Sequence, residues 1–331
     1  MELRIKNYYY QSIDDSILAP YYKKMCNIII NFVPANSSPN VLTLIGLFGV
    51  FLSTFVTIFL KDTFGLLYTC IICSSLLFFY QIMDTLDGMQ GKRVNMYYNP
   101  TTELFDHGCD SITACCVLYN LLYLSNLIEN HFIISMLITI LSITNFYLPT
   151  WQHSNTGTMH FRSGMANPTE SIFMIKILYL IIGLFSDIIT NIYLVIFVLV
   201  GLLYLTAKNY SECYEDTFFD DRRTNYEKFI SLTPLFLSYS YTFYLLIFYT
   251  NEINYINIIS PFLIAILNLI WYEISGNDYN IFLIMIVYAA NIADFTFGIY
   301  FFVTLYLYTF YKYTRIMCDI LGMEHFYSVN I

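Results

Sequence analysis

A chain of 331 residues that is 57% hydrophobic, 19% aromatic and only 12% charged, with a mean hydropathy of +0.58, is too apolar for a soluble domain. The net charge of −9 and the lack of a basic patch argue against a nucleic-acid partner. The eight cysteines show no disulfide framework, and the C-x-x-C at Cys70 and Cys73 sits in an apolar run, where both read as packing residues.

In chain order, residues 1–15 are polar, so no cleavable leader is expected. Residues 16–33 are amphipathic, with Ile17, Tyr21, Met25, Ile28 and Phe32 on one face and Lys23 and Lys24 off it. That pattern predicts a helix lying in the membrane interface, ended by Pro34. About twenty apolar residues span a bilayer. Ten segments approach that length: 41–60, 65–88, 103–127, 131–151, 170–186, 189–207, 229–249, 254–273, 280–297 and 299–317. The expected fold is an all-α integral membrane protein of about ten transmembrane helices, preceded by the interfacial helix. It divides into a cytosolic N-terminal segment (1–40), a transmembrane catalytic domain (41–317) and a cytosolic tail (318–331). With the N-terminus in the cytosol, fourteen of the fifteen Lys and Arg fall on that side and only Lys61 on the other. This positive-inside bias predicts cytosolic termini and an even number of spans.

Two acidic segments stand against these apolar runs: Asp84-Thr-Leu-Asp87-Gly88-Met-Gln-Gly91-Lys92-Arg93 and Glu103-Leu-Phe-Asp106-His107-Gly-Cys-Asp110. A carboxylate at membrane depth is costly and marks a functional site unless it is neutralised by a partner. On helices, 84, 87, 88 and 91 share one face, as do 103, 106, 107 and 110. The charge rule puts both stripes at the cytosolic ends of antiparallel neighbours, in an active site spanning 84–110 where the acidic groups are expected to converge. Clustered carboxylate oxygens suit two Mg²⁺ ions, or Mn²⁺, and such a pair clamps phosphoryl oxygens. Gly88 and Gly91 leave room for a substrate against the backbone, and Lys92 and Arg93 lie where a diphosphate would need neutralising. A site at the membrane surface implies one water-soluble phosphorylated substrate and one lipid.

These residues resemble the D-x2-D-G-x2-A-R-x8-G-x3-D-x3-D pattern of the CDP-alcohol phosphotransferases. Asp84, Asp87, Gly88, Asp106 and Asp110 match; Gly91-Lys92 stands in place of Ala-Arg and Thr102 in place of Gly, and the stretch from Lys92 to Thr102 is one residue longer. Glu103–Asp110 resembles the E-L-F-D-H-G-C-D of the eukaryotic choline/ethanolamine phosphotransferase branch. Pro39–Gly46, the Trp151–Glu170 region and Cys318–Phe326 resemble segments of that branch as well. The resemblance implies a ten-helix fold, a homodimer, and residence in an endomembrane such as the endoplasmic reticulum or Golgi. It implies transfer of a phospho-alcohol from CDP-choline or CDP-ethanolamine to the 3-hydroxyl of diacylglycerol, with release of CMP. It also implies that Asp84, Asp87, Asp106 and Asp110 hold magnesium, with Asn40, Gly88 and Lys92 toward the cytidine diphosphate.

The lipid hydroxyl needs a base. An imidazole titrates near neutral pH and suits that role. His107 lies one turn from Glu103, which would orient it, and is preferred to Asp110. His131, His153, His160 and His325 read as ordinary interface residues. Two other readings are an intramembrane prenyltransferase acting on a diphosphate and a non-catalytic protein, either a divalent-cation transporter or a degenerate scaffolding relative.

Overall fold

The computed structural model describes residues 1–96, 99–161, 167–185, 192–248 and 255–327. Four of its helices begin where a short polar side chain satisfies a free backbone N–H group. Asn99 Oδ1 accepts from Thr101 N at 2.9 Å, Asn167 Oδ1 from Thr169 N at 3.2 Å, Asn280 Oδ1 from Phe282 N at 3.2 Å, and Asp294 Oδ1 from Phe297 N at 2.7 Å. In chain order the elements are α1 (Glu2–Lys6), β1 (Gln11–Asp14), α2 (Ala19–Ile29), α3 (Pro39–Phe55) and α4 (Leu66–Arg93). They continue with α5 (Pro100–Leu124), α6 (Phe132–Thr156), β2 (Thr158–Phe161) and α7 (Pro168–Leu184). The last are α8 (Ile192–Phe219), α9 (Asn225–Phe248), α10 (Tyr255–Ser275), α11 (Ile281–Ala293) and α12 (Phe295–Leu321).

Each of the ten expected apolar segments coincides with one of the helices α3 to α12. Among the described residues, six helical segments are long and apolar enough to cross a membrane: Pro39–Phe64, Leu66–Arg93, Phe132–Thr156, Ile192–Phe219, Asn225–Ile247 and Tyr255–Ser275. The chain is therefore a helical integral membrane protein. Of the remaining four, α7 has 17 residues and α11 only 13, while α5 and α12 have 25 and 27 but carry more polar side chains. Arg162 and parts of the segments expected at 170–186, 189–207, 229–249 and 254–273 lie outside the described residues.

α3 lies tightly against α4. A Cβ on Gly46 would stand 3.1 Å from the Met83 Cβ, and one on Gly49 would stand 2.9 Å from Phe79 Cδ1. Small residues at such a seam let two helices approach where no water drives their association. On the other side of the molecule α10 is buried along its whole length, between α5, α6, α9, α11 and α12. α2 packs Tyr22 and Cys26 onto Leu42, Ile82 and Leu86, leaving Ile17, Tyr21, Ile28 and Phe32 exposed.

The N-terminal segment adds a feature that helical periodicity does not signal. β1 pairs in parallel with β2, in the register Gln11↔Thr158 to Asp14↔Phe161. Glu170 Oε1 then accepts hydrogen bonds from Ser16 Oγ (2.8 Å), Ile17 N (2.7 Å) and Leu18 N (2.9 Å). This ribbon and clamp carry the N-terminal strap across the ends of α5 and α6, placing Tyr10 over the candidate site.

Candidate metal centre

The sequence places Asp84 on α4 and Asp106 and Asp110 on α5, and the packing of these helices unites them. One carboxylate oxygen from each lies within 4.8 Å of the others. Tyr80, one turn before Asp84, donates its hydroxyl to Asp110 Oδ1 and fixes that carboxylate. An all-oxygen donor set on two rigid helices fits a hard divalent cation. Beside it, a Cβ on Gly88 would meet nothing within 4 Å, so space for a ligand remains at the backbone.

Asp87, expected with the other three, is buried at 3% exposure and accepts a 2.6 Å hydrogen bond from Thr43 Oγ1 on α3. It lies outside the 4.8 Å group of three, yet stays within electrostatic reach of Asp84, Asp106 and Asp110. The reason is angular: at 3.6 residues per turn, side chains three positions apart diverge by about 60° around the helix. Asp84 thus meets α5 while Asp87 meets α3.

The residues expected to face a nucleotide are also divided. Asn40 is fully buried, and its Nδ2 donates to the Phe326 carbonyl at 2.8 Å, while the Phe326 ring stacks on Phe105 at 4.9 Å. The C-terminal segment therefore occupies the Asn40 amide. Arg93 Nη1 donates to the carbonyls of Ile30 (3.2 Å) and Val33 (3.1 Å), and Gln90 Nε2 to those of Ala35 (3.2 Å) and Ser37 (2.8 Å). The end of α4 thus holds the 30–37 turn, and Arg93 is committed to it. Gly91 is buried in α4, and its carbonyl accepts from Met96 N at 2.8 Å. Thr102, which replaces a Gly of the pattern, turns its hydroxyl to the Met96 carbonyl at 3.2 Å, bracing the α4–α5 connection.

The α5 stripe also splits. Asp106 and Asp110 face α4, whereas Glu103 and His107 face α6. There Glu103 Oε1 lies 3.9 Å from His107 Nδ1 and 3.4 Å from His153 Nδ1. His153, in the last turn of α6, was expected to be an ordinary interface residue; the structure brings it into a buried group with Glu103 and His107. Its proximity to Trp151-Gln152 in the sequence was the only signal available, and spacing along α6 says nothing about contact with α5. Tyr10 meets both imidazoles edge-on, with ring centroids 5.6 Å from His107 and 5.4 Å from His153. Among the described residues, two groups of side chains are thus able to hold a metal, one of carboxylates alone and one of a carboxylate with two imidazoles.

No family model matches the chain. Its curated homologues are CDP-alcohol phosphatidyltransferase class-I proteins. An uncharacterized CDP-alcohol phosphatidyltransferase class-I family protein 3 of Dictyostelium discoideum is 34% identical over 190 residues, covering 55% of this chain and 46% of that protein. Choline/ethanolaminephosphotransferase 1 of Saccharomyces cerevisiae is 30% identical over 191 residues, with the same coverage of 55% and 46%. Cholinephosphotransferase 1 of Mus musculus is 34% identical over 114 residues, 34% of this chain and 28% of that one. The chain spans about half the length of the first two relatives, 46% in each.

Proposed function

We propose that this chain transfers phosphocholine, phosphoethanolamine or both from the CDP-alcohol to the 3-hydroxyl of diacylglycerol. The observation that carries this reading is the convergence of Asp84, Asp106 and Asp110 within 4.8 Å beside the open backbone at Gly88. The similarity to a choline/ethanolaminephosphotransferase supports it. Asp84, Asp106 and Asp110 would hold magnesium or manganese, with Asp87 completing the charge of a two-ion site. The ions supply Lewis-acid stabilisation of diphosphate oxygens.

The lipid hydroxyl oxygen attacks the phosphorus that bears the alcohol. The bond from that phosphorus to the CMP oxygen breaks, CMP departs, and the hydroxyl proton passes to His107. Glu103 lies on the Nδ1 side of His107, leaving Nε2 for the proton. Asp110, its Oδ1 already held by Tyr80, is the second candidate for the base. Lys92 meets the diphosphate at the cytosolic end of α4. The reading carries with it ten spans within 41–317, cytosolic termini and active site, an endomembrane location and a homodimer. It is tested by incubating purified protein with diacylglycerol and labelled CDP-choline or CDP-ethanolamine in competition. Metal-dependent CMP release with lipid product supports it. Turnover of a prenyl diphosphate instead, or metal transport without CMP release, overturns it.

A further inference from the structure

The nitrogen-bearing group around Glu103 has no part as a metal site in the proposed reaction, yet its construction is that of one. Glu103, His107 and His153 are 5%, 6% and 2% exposed. Among the described residues, Glu103 Oε1 and Oε2, His107 Nδ1 and His153 Nε2 are all buried without a hydrogen-bond partner. Leaving such atoms unpaired costs about 1–3 kcal/mol each, so the two Glu103 oxygens and His107 Nδ1, gathered where Glu103 faces His153 Nδ1, call for an occupant that satisfies them. One ligand atom from each residue lies within 4.8 Å of the other two, and the nitrogen–oxygen pairs stand at 3.4 and 3.9 Å. Ligand atoms of a tetrahedral zinc site, at about 2.0–2.2 Å from the metal, are about 3.3 Å apart. The set is therefore within a small side-chain adjustment of closing on an ion.

We propose that Glu103, His107 and His153 form a binding site for a transition-metal ion of the Zn²⁺ class, separate from the carboxylate centre of Asp84, Asp106 and Asp110. Donor chemistry separates the two. Imidazole nitrogen favours zinc over magnesium, whereas the oxygen-only group on the α4 side of α5 suits magnesium. Two ligands come from successive turns of α5 and the third from the last turn of α6, so the site clamps these helices together under Tyr10. Three protein ligands leave a fourth position for water. Where the proposal touches turnover it rests on the function proposed above: a zinc ion on His107 withdraws the base, so zinc would inhibit while magnesium activates.

The experiment uses the purified full chain, stripped with a chelator and re-equilibrated in excess Mg²⁺. Zinc is titrated against a chromophoric chelator, and Co²⁺ is used as a spectroscopic probe. The expected result is one zinc per chain that magnesium does not displace, and a four-coordinate Co²⁺ absorption band. His153→Ala, and independently Glu103→Gln, should each lower zinc affinity at least about tenfold, with an unchanged gel-filtration profile as the control for folding. Asp106→Asn, which alters only the carboxylate centre, should keep the zinc. Absence of retained zinc in the parent protein, or a His153→Ala variant binding zinc as the parent does, overturns the site. So does loss of zinc in Asp106→Asn, which would merge the two centres. Zinc binding that leaves CMP release untouched supports the site and removes His107 from the chemistry, so failure of the reaction reading is seen separately.

Discussion

Thr43 Oγ1 donates a 2.6 Å hydrogen bond to Asp87 Oδ2 in the buried seam between α3 and α4. This bond ties the first long helix to the acidic end of the second, next to Gly46 and Gly49, where the two backbones come close. Thr43→Val keeps the shape and removes the donor. It should destabilise the protein by about 1–3 kcal/mol, the cost of stranding a buried polar group, while Thr43→Ser should recover most of the loss. Thermal unfolding in detergent, followed with and without Mg²⁺, checks this. Equal melting of the Val variant and the parent would show that Asp87 finds another donor.

The carboxylate centre should be indispensable. Asp106→Asn removes a charged ligand from the set shared with Asp84 and Asp110, and turnover should fall at least about 10²-fold, as expected when several kcal/mol of metal stabilisation is lost. Chelation should abolish CMP release, and Mg²⁺ or Mn²⁺ should restore it. Full activity in a metal-stripped sample would sink the two-ion mechanism.

Lys92 and Arg93 are adjacent in sequence, but the structure gives Arg93 a separate task. Arg93 is bonded to the Ile30 and Val33 carbonyls, so Arg93→Ala should loosen the 30–37 turn and lower thermal stability with little change in the KM for the CDP-alcohol. Lys92→Ala should raise that KM, and Lys92→Arg should leave it alone or lower it, because a guanidinium can grip phosphate through two bonds. Steady-state kinetics of the three variants distinguish the roles, and a KM effect confined to Arg93→Ala would reverse them.

His107→Ala should lower kcat by about 10²–10⁴-fold, the worth of a positioned base, while Mg²⁺ and CDP-alcohol binding stay near those of the parent. Asp110→Asn is the comparison. If His107→Ala turns over normally and Asp110→Asn, with metal still bound, does not, the base is Asp110.

A great deal of this protein is determined by its sequence alone. Apolar runs of bilayer length become helices because in lipid the backbone must satisfy its own hydrogen bonds. Each of the ten segments read from the sequence meets a helix, and among the described residues six helical segments are long and apolar enough to cross a membrane. The acidic stripes are legible for the same reason, since a period of 3.6 places 84, 87 and 88, and 103, 106, 107 and 110, on common faces. Periodicity does not say what each edge of a face touches. Two edges about 60° apart can meet different neighbours, and only the tertiary packing decides which. So Asp87 accepts from Thr43 while Asp84 closes on Asp106 and Asp110, and Glu103 and His107 turn to His153. The Asn40 amide is taken by the Phe326 carbonyl, 286 residues away. The parallel pairing of β1 with β2 likewise joins segments far apart in the chain. Local residue patterns carry no record of contacts made at such separation, and it is these contacts that divide one acidic stripe into two chemically different centres.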